Sequence, residues 1–358
     1  MARSRAMTSP LVSPCRRAAE RPVPARRPRV ASRLLALVTG LTLVGLVAGC
    51  GLRLETPAPT APSPDSSESA RQRASADSVG LMVLAGAPGA DPADPVTAIR
   101  AAVVTQATEH LDQLGPGDSS TAEPTAEPTA DPSSADPSSA VPGTVDPVGT
   151  TPAAVVTQLT QAAASARADA ASIPDGPLAR LLGSVATARL LLARQLAAAT
   201  AIEGPAVPEV STPTSAPTGP GLSALSDLVA GEDQAGYGYE VIAAKLSDAA
   251  RTDASDRAAV HRARADQWAT LLEIAGTGLD PRRSAYALPA GLDDPAAAVA
   301  QAQTLELSLA ATYAALLTAT DAESRAVLLD GLTEATATAV AWGAPVPSFP
   351  GLPERTAS

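Results

Sequence analysis

Thiols and imidazoles are scarce in this 358-residue chain. The thiols are Cys15 and Cys50, and the imidazoles are His110 and His261. No Gly-x-Ser-x-Gly elbow, phosphate loop, zinc-type spacing or dinucleotide fingerprint accompanies them, so no triad or cofactor cradle can be built. No catalytic residue is assigned and enzymatic activity is not expected. What remains is a set of ionisable groups on otherwise apolar helical stripes. Glu232 falls among Leu225, Val229, Gly236 and Tyr239, His261 among Ala265, Trp268 and Leu272, and Glu306 among Ala302, Leu309 and Tyr313. A charge turned into a bundle needs a partner, because burying it alone costs far more than burying it paired. Arg264 lies one turn from His261 and near the height of Glu306, which predicts a structural Arg264–Glu306 ion pair. His261 then reads as a satisfied core histidine. Glu232 has no cation of its own helix on its stripe, which makes it the strongest candidate for a functional role. His110 reads as a partly buried side chain, and Tyr237 and Tyr239 as core and boundary aromatics.

The elements that must position these groups are helices. Alanine-rich segments with apolar residues three and four apart dominate, and alternating β-branched runs are scarce, so the class is all-α. Downstream of residue 50 every aromatic except Phe349 lies within 222–342, which marks 222–353 as the principal folded domain. Its pattern is four helices, the first from residue 222 and the others over about 254–275, 295–320 and 322–342. Short links join the first to the second and the third to the fourth, as antiparallel neighbours require. The long passage between the second and third, GTGLDPRRSAYALPAGLDD, is long enough to run back along the bundle. Two hairpins joined by a crossover follow. Ahead of them, 68–202 reads as further Ala-rich helices without one aromatic side chain, and 203–221 as a linker. A core of such small residues gains modest transfer energy, so this half is expected to pack against the later one.

The amino terminus addresses the chain to a membrane. Residues 1–33 hold nine arginines and one acid, and an apolar run follows to Val47. This is a charged n-region and an h-region, too short to span a bilayer comfortably. It ends in VAGC, which is similar to the bacterial lipobox. The similarity makes 1–49 a signal peptide and Cys50 the diacylglyceryl-modified first residue of the mature chain. An uncleaved anchor with an ordinary Cys50 thiol is the other reading. Both place the rest outside the cytoplasm, and a diacyl group suffices for stable attachment. Removing a segment of net charge +8 from a precursor of −11 leaves −19, which excludes a nucleic-acid footprint. The membrane and a protein of the envelope are the expected contacts. The Pro/Ser/Thr stretches 50–67 and 115–151 cannot bury enough apolar area to fold, and read as a tether and an insert.

Five blocks carry a family resemblance: EDQAGYGYEVIAAKL (232–246), HRARADQW (261–268), SAYALP (284–289), LELSLAATYAALL (305–317) and FPGLPE (349–354). Together with the lipobox and the crossover, they resemble the ferritin-like domain of uncharacterised function found in actinobacterial exported lipoproteins. The resemblance implies a ferritin-like four-helix bundle, an envelope location and no established activity. Metal-binding ferritin-like proteins hold iron or manganese with a Glu on helices one and three and a Glu-x-x-His pair on two and four. Carried over, that implies Glu232, Glu306, His261 and Glu334 as metal residues. Ala258 stands where the second-helix Glu would be and Ala337 where the fourth-helix His would be. From the expected helix bounds, Glu232 and His261 differ in height by roughly 13 Å, too far to share an ion. Glu334 falls about a third of a turn off its helix's apolar stripe. The expectation is thus no cofactor, with a degenerate iron or manganese site as the alternative.

Overall fold

The computed structural model describes residues 63–86, 91, 93–116, 151–211 and 213–355. The signal segment 1–49, Cys50, most of the tether and nearly all of the insert lie outside the described residues. The described chain is all-α, with eight helices: α1 (Ser66–Ala85), α2 (Pro95–Leu114), α3 (Pro152–Ser172), α4 (Gly176–Ala199), α5 (Leu222–Lys245), α6 (Asp248–Leu271), α7 (Pro295–Leu317) and α8 (Ala326–Ala341). No strand occurs among the described residues.

Most starts are written locally. Asp94, Thr151, Asp175 and Asp294 cap α2, α3, α4 and α7, each accepting a backbone N–H of the first turn, with proline at one of the first helical positions. The cap side chain satisfies one orphan donor, while proline loses only an N–H that had no partner. Asp65 caps α1 in the same way, so that helix begins at Ser66, two residues before the expected 68. The bounds of α6 differ more. It begins at Asp248, six residues before 254, and ends at Leu271. Ser247 makes no side-chain cap bond and the first turns are polar, so neither capping nor apolar periodicity marks this start. At α8 the chain first makes a short 3-10 turn, Ala322–Ser324, which delays the helix to Ala326.

The carboxyl-terminal bundle is two hairpins, α5/α6 and α7/α8, with α5 packed against α7. Gly231 lies beside Leu309 while Gly238 lies beside Leu305, so numbers rise along α5 as they fall along α7, and the two are antiparallel. Lys245 at the end of α5 pairs with Asp293 at the start of α7, 2.5 Å apart. Residues 272–294 therefore travel the length of the bundle. Midway they are held by Asp233, whose Oδ2 accepts the Arg283 N–H (3.0 Å) and the Tyr286 hydroxyl (2.6 Å), and whose Oδ1 accepts from Arg262.

The amino-terminal hairpins α1/α2 and α3/α4 share a core of small residues, with Leu81, Val103, Leu159 and Leu196 in it. They do not form a separate body. Leu181, Leu182 and Val185 of α4 lie in one buried cluster with Leu228 of α5, Trp268 of α6, Tyr313 of α7 and Leu332 of α8. The described residues fall within one compact unit. Helix α4 is long and apolar enough to cross a membrane, yet 78% of its apolar window is buried by protein, as the central rod of a folded core is. Its one buried cation, Arg189, donates to the Ala74 carbonyl (2.8 Å), Ser78 Oγ (2.9 Å) and the Ala162 carbonyl (3.3 Å), stitching α1 and α3 to α4.

Candidate functional site

Inside the carboxyl-terminal bundle, α5 supplies Glu232 and Tyr239, α6 supplies Arg257, His261 and Arg264, α7 supplies Glu306 and Tyr313, and α8 supplies Glu334. Glu232, His261 and Glu306 are fully buried. The turn between α5 and α6 falls at Leu246 and Ser247, with Glu232 fourteen residues before the first and His261 fourteen after the second. The two therefore sit level. His261 Nδ1 lies 2.6 Å from Glu232 Oε2, and the expected separation in height is corrected. The six added residues at the start of α6 account for roughly 9 Å of it.

The same shift corrects the expected ion pair. Glu306 pairs with Arg257, not with Arg264: Arg257 Nε donates to Glu306 Oε1 at 2.6 Å and Nη2 to Oε2 at 3.0 Å. Arg257 also donates both Nη groups to Glu334, the Nη2 bond being 2.9 Å, and Arg264 Nη1 donates to Glu334 Oε2 at 2.8 Å. Glu334 is therefore turned inward enough to join the cluster, against its expected place off the stripe. Two tyrosines complete it. The Tyr239 hydroxyl donates to Glu306 Oε1 (2.9 Å) and the Tyr313 hydroxyl to Glu232 Oε1. Gly331 makes room for the second, since a Cβ there would meet the Tyr313 ring at 2.4 Å.

His261 is held between two carboxylates, with Nε2 3.2 Å from Glu306 Oε1. Carboxylates only accept, so both ring nitrogens are satisfied when both donate, which is the imidazolium. Burial alone would lower the His261 pKa, but the charges and hydrogen bonds of Glu232 and Glu306 outweigh it and raise it. Burial would likewise raise Glu306, and Arg257 with His261 holds it below the ordinary carboxylate value instead. Glu334, also raised by burial, is brought down to about 2 by Arg257 and Arg264. Three carboxylates thus face two guanidinium groups and one imidazolium. The cluster is neutral and its members are mutually satisfied.

That arrangement does not fit iron or manganese. A metal ligand nitrogen must be free of its proton, whereas both His261 nitrogens are engaged by carboxylate oxygens. Arg257 bridges Glu306 and Glu334, where a cation shared by those carboxylates would have to lie. Among the described residues, no group of three or more His, Cys, Asp or Glu side chains is arranged to hold a metal ion. Ala258 and Ala337 leave the remaining two positions of the pattern without a ligand.

Arg257 and Asp233 escaped the sequence reading. Arg257, His261, Arg264 and Trp268 are spaced by four, three and four, one face of a helix, and that signal was available once α6 was known to extend past Arg257 on its amino-terminal side. Nothing local marks Asp233, whose partners lie on α6 and in the crossover. His110 is more enclosed than expected, 1% exposed, with Nε2 2.7 Å from the Ser348 carbonyl and its ring edge-on to Phe349. Burial brings its pKa down to about 3, which leaves it neutral.

Residues 224–354 match the family model of a domain of unknown function (DUF4439). The match takes in the α5–α8 bundle and the segment after it, and excludes α1–α4. Neither a curated protein nor a solved structure matches the chain.

Proposed function

We propose that this chain is an extracytoplasmic lipoprotein, anchored through a diacylglyceryl group on Cys50, whose ferritin-like bundle serves as a non-catalytic scaffold or binding module in the cell envelope. The observation that carries the non-catalytic part is the His261 imidazole engaged by a carboxylate at each nitrogen, inside a cluster where Arg257 and Arg264 match the remaining charge. A general base or a metal ligand needs a free lone pair, and these side chains spend theirs on one another. The anchoring part rests on the n-region, the apolar run and the VAGC motif.

Two measurements test this. After loading with ferrous or manganous ion, the purified protein and its Glu232→Ala/Glu306→Ala variant are expected to show the same metal content. The other reading is a degenerate carboxylate metal site drawn from Glu232, His261, Glu306 and Glu334, against which the Arg257 bridge between Glu306 and Glu334 stands. Stoichiometric uptake lost in the double variant would establish that reading and overturn the first. For the anchor, Cys50→Ala is expected to leave full-length precursor and abolish lipid labelling, whereas unchanged processing would remove the basis for placing the chain on the membrane.

A further inference from the structure

Between the first turns of α5 and the last turns of α7 lies a groove open to solvent, with Ala224 on one wall and Ala311, Ala315, Leu316 and Ala319 on the other. Gly231 beside Leu309 and Gly219 beside Ala319 fix the antiparallel register, which sets Asp227 near the level of Thr312 and Gly221 near that of Ala319. The groove's volume, about 410 Å³, is that of a small-molecule site. Its shape is not. Ala224, Asp227, Ala315 and Ala319 are all exposed, and a Cβ added at Gly221 would meet nothing within 4 Å. A small ligand would keep much of its surface in water here, whereas an elongated partner laid along the two helices would cover the groove.

Two properties of the walls select that partner. Both walls are helices whose backbone groups are bonded within the helix, so an extended peptide would find no main-chain partners for its own N–H and C=O groups. A helix brings its backbone bonds with it and packs a ridge of side chains between the two rods, and the alanines of the floor let it come close. The second property is charge. Residues 203–244 and 284–324, which supply both walls, include no lysine or arginine. Asp227 lines the groove and its carboxylate has no ion-pair partner among the described residues, while Asp321 and Glu323 follow just beyond Ala319, both exposed. The next cation along the chain, Arg325, is 2% exposed and donates to the carbonyls of Thr320, Ala170 and Ile173. What the groove offers is therefore apolar contact rimmed by unneutralised negative charge. A second copy of this chain, of net charge −11, and an anionic bilayer would both be repelled by it.

From the open apolar floor, the helical walls and the uncompensated carboxylates at the rim, we infer that the α5/α7 groove docks a cationic amphipathic helix of a partner protein. The helix lays its apolar face on the alanines and turns lysine or arginine toward Asp227, Asp321 and Glu323. This deepens the binding-module reading and rests on it. The groove shares no residue with the buried charge cluster, so the metal measurement and the one below can fail separately. Three labelled peptides of about 18 residues serve as probes. The first carries alanine and leucine on one helical face and lysine on the other, the second has glutamate in place of lysine, and the third is the lysine peptide with a central proline. Titrated with the full chain by fluorescence anisotropy at physiological salt, the lysine peptide is expected to bind saturably, one to one. It should bind about tenfold more tightly than either of the others.

Ala224→Gln/Ala315→Gln puts a polar side chain on each wall without changing the net charge, at exposed helical positions where glutamine is a good helix former. It is expected to weaken the lysine peptide about tenfold or more while the circular dichroism spectrum stays the same. Asp227→Lys, which turns an attraction into a repulsion, is expected to weaken it about fivefold. No saturable binding of the lysine peptide would overturn the groove as a docking site. So would binding that the glutamine pair leaves unchanged, the mark of general attraction to an acidic chain. Equal binding of the proline peptide would overturn the helix, and equal binding of the glutamate peptide, or indifference to Asp227→Lys, would overturn the requirement for cations. Dimerisation of the protein in sedimentation that the glutamine pair abolishes would overturn the assignment in favour of a second copy.

Discussion

Arg257→Met is expected to lower the unfolding free energy by about 3–5 kcal/mol, the usual cost of deleting one partner from a buried ion pair. For a unit of this size that is a fall in Tm of roughly 10 °C. The loss is large because Arg257 serves two carboxylates, Glu306 on α7 and Glu334 on α8, and the first is fully buried. Without the guanidinium, Glu306 keeps only Tyr239 and His261 as donors. Adding Glu306→Gln should recover part of the loss, since a neutral amide still accepts from those two and no longer needs a cation. A double-mutant cycle measures that coupling.

The pH profile of the same proteins separates lost charge pairing from lost packing. Folding holds Glu334 and Glu306 below their unfolded values, so their contribution is present above the unfolded pKa near 4.5. It is lost as pH falls toward about 2, the value of Glu334 in the folded chain. His261 has the opposite sign. Its folded pKa is raised, so its contribution is complete below 6.5 and is lost as pH rises through the folded value. Stability of the native chain is expected to be highest between these limits, and Arg257→Met should flatten the acid limb. A loss below about 1 kcal/mol with an unchanged acid limb would show that the cluster is not paired as described.

Leu182→Ala is expected to cost about 2–5 kcal/mol, the range for truncating a fully buried leucine. Leu182 belongs to α4, in the half that holds no aromatic residue, yet it is completely buried in the cluster shared with Trp268 and Tyr313. Trp268 and Trp342 both lie beyond residue 222, so tryptophan fluorescence reports only the carboxyl-terminal bundle. If the two halves unfold as one, the fluorescence and far-ultraviolet circular dichroism midpoints of the variant move down together. A fluorescence midpoint that stays in place while the dichroism splits into two transitions would show that the matched domain, 224–354, is stable on its own.

Much of this fold was legible because its signals are local. Asp and Thr caps followed by proline place the starts of α2, α3, α4 and α7. The length of the passage between α6 and α7 requires a lengthwise return, and Gly231 and Gly238 against Leu309 and Leu305 show it. Interior placement of Glu232, His261 and Glu306 was equally readable, because a helix turns residues three and four apart to one side whatever it packs against.

By itself, then, the amino-acid order determined the helical class, the hairpins with their crossover, and the inward placement of Glu232, His261 and Glu306. Only the tertiary structure decided which of those groups meet. Partner choice depends on the relative height of residues on different helices, and each residue of error at a helix start moves a side chain by about 1.5 Å along the axis. Helix α6 begins with neither a cap bond nor an apolar turn, so its height is set by packing against α5 rather than by its own sequence. That height brings Arg257 rather than Arg264 level with Glu306 and seats His261 against Glu232, because the buried carboxylates are stabilised only where cations reach them.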